Sequence, residues 1–165
     1  MTLRLALCLS GLVFSGSALA QEPAEIARDY FHAYTVMDVE RMNELLADEA
    51  VFSDRGSFNV QGGPYHYEGK EAITAALTTF HDQYGLYALN YDLEIDHEAS
   101  GQAVFGGAVE ARWRLPDGRD RVWRGDVVTT VRVRDGQVIE HLDMPDYLGG
   151  EMSIEEVTEA APAAQ

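Results

Sequence analysis

From Leu89 to Asp143 apolar and polar residues alternate, and three turn signals interrupt the pattern. Successive side chains of a strand point to opposite faces, so alternation of this length dictates half-buried strands. Leu89, Tyr91, Leu93 and Ile95 mark the first strand. Ser100-Gly101 turns it into a second, with Phe105, Val109, Ala111, Trp113 and Leu115 on one side and Glu110, Arg112 and Arg114 on the other. After Pro116-Asp117-Gly118, a third strand sets Trp123, Val127, Thr129, Val131 and Val133 opposite Arg124, Asp126, Thr130 and Arg132. Asp135-Gly136 is a two-residue hairpin signal that leads into the last strand, 137–143. The expectation is a four-stranded antiparallel meander with one dry face.

In that last strand His141 and Asp143 follow Ile139 at spacings of two, so if Ile139 faces the core, both titratable groups face it too. A buried polar group without a partner costs about 1–3 kcal/mol. The two are therefore hydrogen-bonded internally, line a cavity, or form half of a metal site. Two ligands at i and i+2 are weak support for a metal, and His32, His66, His81 and His97 show no ligand spacing with them, so no metal or cofactor is expected.

The first half of the chain is helical in its periodicity. Pro23 suits a first helical turn, and Ile26, Ala27, Tyr30, Ala33, Tyr34 and Met37 recur at three and four residues. Asp38 caps a second helix carrying Met42, Leu45 and Leu46, which Asp48-Glu49 breaks. Val51 to Asp54 reads as a short strand, residues 55–69 as a long loop, and residues 70–84 as a third helix with Ile73, Ala76, Leu77 and Phe80 on one face. Three helices followed by one strongly curved antiparallel sheet is an α+β arrangement, a cone whose helices close one face. Such a cone encloses a pocket suited to a small hydrophobic molecule.

Residues 1–20 stand apart. A basic start, an apolar run from Leu5 to Phe14 and the small-x-small ending Ala18-Leu19-Ala20 read as a signal peptide cleaved after Ala20. The only cysteine, Cys8, leaves with it, and the exported chain, periplasmic or secreted, has no disulfide and no thiol nucleophile. Residues 21–150 form the single domain, and 151–165, acidic and alanine-rich without an apolar stripe, read as a disordered tail. With 28 acidic against 12 basic residues, the chain is a poor partner for nucleic acid or, after signal cleavage, for an anionic membrane.

Four segments carry a resemblance to a known family: Ala27-Arg28-Asp29-Tyr30-Phe31 with Met37-Asp38-Val39, Leu46-Ala47-Asp48-Glu49-Ala50-Val51-Phe52-Ser53-Asp54, Tyr67-Glu68-Gly69-Lys70-Glu71-Ala72-Ile73, and residues 131–141. In their order they resemble the nuclear-transport-factor-2-like superfamily, in its SnoaL-like and ketosteroid-isomerase-like branch. The resemblance implies the cone fold and often a homodimer through the outer sheet face. It also implies a general base at Asp54 and an oxyanion-binding hydroxyl at Tyr30. Thr129 stands where the isomerase keeps a neutral carboxylic acid, a departure that weakens steroid isomerisation as the activity. His141 and Asp143 fall at pocket-facing positions.

From the residues themselves, Asp54 is either a buried general base or a carboxylate that caps the loop or pairs with Arg55. Tyr30 is either an oxyanion donor or a core tyrosine. Trp113 and Trp123 either stack on a ligand or pack the core, Tyr34 is expected to line the pocket, and His66 stands at the pocket mouth or on a surface loop. The expected function is an exported, cofactor-free acid–base enzyme of isomerase, cyclase or dehydratase type. Its substrate is a small apolar carbonyl compound, and Asp54, Tyr30, His141 and Asp143 carry the reaction. The alternative is a non-catalytic periplasmic binding or dimerisation module.

Overall fold

The computed structural model describes residues 22–60 and 62–157. Residues 1–21, on which the expected signal peptide falls, residue 61 and the segment after Val157 lie outside the described residues. Helix α1 (Pro23–Thr35) starts on its proline and buries Ile26, Ala27, Tyr30, Phe31, Ala33 and Tyr34 along one stripe. The Asp38 carboxylate accepts the Arg41 N–H at 3.0 Å and so caps α2 (Val39–Leu45), which buries Met42 and Leu45. No loop separates α2 from β1. The strand runs Leu46–Asp54, longer than the alternation predicts, because Asp48 and Glu49 sit in it on the solvent side across a register shift.

The segment read as a loop is partly ordered. A short 3-10 turn (Gly56–Asn59) precedes β2 (Tyr65–Glu68), which pairs antiparallel with β1 and leads into α3 (Lys70–Asp82). The meander follows as β3 (Leu86–Ala99), β4 (Gln102–Arg114), β5 (Asp120–Arg134) and β6 (Gln137–Pro145). The spatial order is β2-β1-β6-β5-β4-β3, with β1 and β6 parallel and the neighbours within the meander antiparallel. The three helices cover the inner face of this curved mixed sheet. Phe31 from α1 stacks on Phe105 from β4 at 3.9 Å between ring centroids, a pair worth about 0.5–1.5 kcal/mol beyond the area it buries.

Two bulges change which residues face inward. In β3 the register shifts between Leu93 and Ile95 opposite Gly107, whose φ is +153°. A Cβ at Gly107 would lie 2.0 Å from the Asp92 carbonyl oxygen, so only glycine permits this approach. Leu93 and Ile95 are left exposed. In β6 the register shifts beside Arg132 and Val133, so fully buried Val138 faces inward where Ile139 was expected to. His141 opposite Val131 and Asp143 opposite Thr129 are both buried beyond that bulge.

The segment expected to be disordered from residue 151 is corrected in part. Residues Glu151–Glu155 form β7, antiparallel to the β5 segment Asp120–Arg124. Met152 and Ile154 alternate with polar residues in this short strand but stay exposed, so β7 is held by backbone pairing and charge. Arg124 donates to Glu155 at 2.6 Å, and this contact, with the Ser153 hydroxyl, pulls the Glu155 carboxyl down to about 2. No helix among the described residues is long and apolar enough to cross a membrane.

Candidate active site

A cavity of about 1350 Å³ opens between α3 and the inner face of the sheet. Its inner end is built where β1 meets β6. The two strands run parallel with Asp54 beside Asp143, so two carboxylates project from adjacent strands whose backbones lie about 4.8 Å apart. Both side chains border the cavity, and both are buried.

Their surroundings differ. Asp54 ends β1, and its Oδ1 accepts the Ser57 N–H at 2.9 Å while Oδ2 accepts the Tyr147 hydroxyl. Burial raises its pKa, the Tyr147 and Ser57 donors offset part of that rise, and the Asp143 charge adds to it; the net direction is upward. Asp143 accepts the Thr129 hydroxyl on Oδ1 and the Tyr34 hydroxyl on Oδ2, each at 2.6 Å. His141 Nε2 lies 3.0 Å from Asp143 Oδ1 but is misaligned for a hydrogen bond. Burial pushes Asp143 upward, yet the His141 charge and the two hydroxyl donors outweigh it and hold the carboxyl below its ordinary range. Two neighbouring carboxyls are thus pushed apart, one towards the acid form and one fixed as the anion, the division by which acid–base sites separate roles.

A shell of phenols surrounds them. Tyr91 reaches Thr129 at 2.9 Å and, like Tyr34 and Tyr147, lines the cavity. Burial raises the pKa of all three, with the Asp143 charge adding to the rise, so they are neutral donors at physiological pH. Trp113 and Trp123 line the cavity without filling it.

Several residues singled out from the sequence lie elsewhere. Tyr30 is fully buried, borders no part of the cavity and its hydroxyl has no partner among the described residues. His141 is also fully buried behind the wall, stacked on Phe52 at 4.4 Å, with Tyr34 at 4.5 Å and Tyr30 at 5.6 Å between ring centroids. Alternation gave the face of these groups but not their depth, and the aromatic rings of α1 and β1 close over them. Thr129 is likewise enclosed and reaches the cavity only through Asp143 and Tyr91. His66 lies opposite Ser53 on β1 and contacts Glu68 at 3.2 Å, away from the cavity.

Tyr147 is the residue that sequence reasoning missed. It sits in the loop 146–150 between β6 and β7, where Gly149 donates its N–H to Asp146 at 2.9 Å and Asp146 accepts the Gly150 N–H at 2.9 Å. The loop presses on Trp123 closely enough that a Cβ on Gly150 would lie 2.3 Å from the indole nitrogen. The Tyr147 ring meets Trp123 edge-on at 5.6 Å. An aromatic inside an Asp/Gly-rich loop directly after the last meander strand was the available signal.

None of the curated proteins matches the chain. Solved structures do. A candidate SnoaL-like polyketide cyclase from Shewanella denitrificans is 20% identical, with a TM-score of 0.64 over 76% of this chain and 91% of that one. A candidate isomerase from Bacillus subtilis is 19% identical, with a TM-score of 0.57 over 78% and 91%. A protein with a ketosteroid isomerase-like fold from Catenulispora acidiphila is 13% identical, with a TM-score of 0.54 over 72% and 83%. These likenesses establish the fold. The family model described as the SnoaL-like domain matches residues 27–141, the greater part of the chain, and the chain belongs to that family.

Proposed function

We propose that this SnoaL-like protein is a cofactor-free acid–base catalyst that moves a proton next to the carbonyl of a small, largely apolar compound. The observation that carries this reading is the pair Asp54 and Asp143, adjacent on parallel strands at the cavity wall and pushed in opposite directions. Asp54 takes the proton from the carbon beside the carbonyl. Asp143, kept anionic, makes Asp54 a stronger base. The developing enolate oxygen needs a neutral donor, and the Tyr147 phenol, which borders the same cavity, turns to it from Asp54 as that carboxylate takes up the proton. His141 and Tyr30 act behind the wall: the His141 ring stands against Asp143, and Tyr30 packs. The isomerase and cyclase designations of the structural relatives agree with proton transfer at carbon.

Export is part of the proposal and rests on the basic start, the apolar run and the Ala18-Leu19-Ala20 ending. A homodimer through the outer sheet face is supported by the exposed side chains of Ile95 and Met144.

The test needs no physiological substrate. Solvent deuterium exchange next to the carbonyl of 2-tetralone, followed by NMR, is expected to run faster with the protein than in buffer. In Asp54→Asn it should fall about 10²–10⁴-fold, the usual contribution of a general base. Equal exchange with both proteins would refute the reading. A second reading, a binding module without turnover, is favoured by one observation: both Asp54 oxygens already have donors. It predicts ligand binding that Asp54→Asn leaves intact and no exchange.

A further inference from the structure

The far end of the cavity carries a charge that the mechanism does not use. On β5 the inward face runs through Thr129, Val127 and Trp123 to Arg121, which lies opposite Trp113 on β4 and borders the cavity. Arg121 has no hydrogen bond or carboxylate partner among the described residues. In this acidic chain that is unusual. Arg28, Arg41, Arg112, Arg114, Arg119, Arg124, Arg132 and Arg134 each lie within 4.0 Å of a carboxylate, and Arg55 covers the Phe58 ring. An inward-face cation left unpaired beside an apolar cavity is therefore available to a ligand.

The distance between the two ends sets the ligand's shape. Asp143 stands opposite Thr129, eight residues along β5 from Arg121, or roughly 26 Å of strand at about 3.3 Å per residue. Trp113, Trp123, Tyr91, Phe80 and Leu89 line the space between, a surface for a flat or extended apolar body. Asp54 and Asp143 lie at one end; at the other, open end Arg114 is held by Asp120 and Asp82 by His81, which leaves Arg121 as the lining cation without a partner among the described residues.

We infer that Arg121 is a specificity residue that receives an anionic terminus, a carboxylate in the simplest case, of an elongated apolar ligand whose carbonyl end lies at Asp54. The inference rests on Asp54 as the reacting end, but it is tested by binding alone. A guanidinium receives a carboxylate through two parallel N–H donors, which a neutral ester cannot match. The net charge of the chain repels anions at long range, so a preference for the acid must come from a local contact.

The experiment titrates wild-type protein with 12-(1-pyrenyl)dodecanoate and with its methyl ester, following quenching of tryptophan fluorescence. The acid is expected to bind about tenfold tighter than the ester, as one charge-assisted contact provides. Arg121→Gln should erase that preference and leave ester affinity unchanged, whereas Arg121→Lys should retain part of it. Asp54→Asn should keep the preference intact, which separates failure of Arg121 from failure of Asp54. Equal affinity for acid and ester, a preference that survives Arg121→Gln, or no binding of either probe would each overturn the inference.

Discussion

Replacing Thr129 with valine probes the inner end of the cavity without touching its surface. Valine keeps the shape of a fully buried residue and removes one hydroxyl. That hydroxyl donates to Asp143 at 2.6 Å and meets Tyr91 at 2.9 Å. Tyr91 borders the cavity and regains a partner in solvent there, so the cost falls on Asp143. A hydrogen bond to a charged group contributes about 1.5–3 kcal/mol, and Thr129→Val should therefore destabilise the protein by about 2 kcal/mol at pH 7. For a domain of this size that is a fall of about 4–8 °C in Tm. The pH dependence is more diagnostic. The folded pKa of Asp143 lies below its unfolded value, so its stabilising contribution is present above an ordinary carboxylate pKa of about 4 and is lost as pH falls through the folded value. In the variant the folded pKa moves up, so its deficit should be full at pH 7 and should narrow below about pH 4. Urea unfolding at fixed protein concentration from pH 3 to pH 8 measures this. A deficit under about 0.5 kcal/mol at pH 7, within the usual range for neutral substitutions, would refute the reasoning. So would a deficit independent of pH.

Asp54 should respond with the opposite sign. Its folded pKa is raised, so its contribution is full below the unfolded value and is lost as pH rises through the folded one; Asp54→Asn should unfold later in urea than wild type at pH 7 and no later at pH 3. Tyr147→Phe removes a donor that lowers the Asp54 pKa, and carboxyl-carbon NMR should show Asp54 titrating at higher pH than in wild type. Gly150→Ala places a methyl against the Trp123 indole and should cost about 1–3 kcal/mol, with a shift in tryptophan emission that Gly118→Ala, in an open turn, does not produce. Arg121→Gln should leave urea stability within about 0.5 kcal/mol of wild type, since the exposed guanidinium makes no ion pair among the described residues.

The strands of the meander were legible because alternation and turn chemistry are local properties. Asp135-Gly136 closes its hairpin through two residues at positive φ, as the dipeptide requires. Bulges are not local in the same sense. The shift that brings Val138 inward in place of Ile139 depends on the register β6 adopts against β5. Depth was also hidden: His141 and Asp143 share a face, but only the rings of Phe52, Tyr34 and Tyr30 decide that the first is enclosed and the second reaches the cavity. Asp54 was found by its place at the end of β1. Tyr147 was not found, because its position is created by tertiary contacts with Trp123 and by a strand, β7, whose alternation of Met152 and Ile154 runs for only five residues.

The strands β6 and β7 dock on the same edge of β5, one beside Val127–Arg134 and the other beside Asp120–Arg124, with residues 146–150 looping out between them. In a connection anchored on both sides by one strand, Tyr147 and the exposed Leu148 can change without unseating the sheet, while Gly149 and Gly150 are fixed by their approach to Asp146 and Trp123. The floor of the cavity can therefore be rewritten there while the sheet beneath it stays in register. For an engineer, the place to graft new chemistry onto this scaffold is the Tyr147-Leu148 tip of that interruption, beside Asp54, and not the aromatic wall around His141.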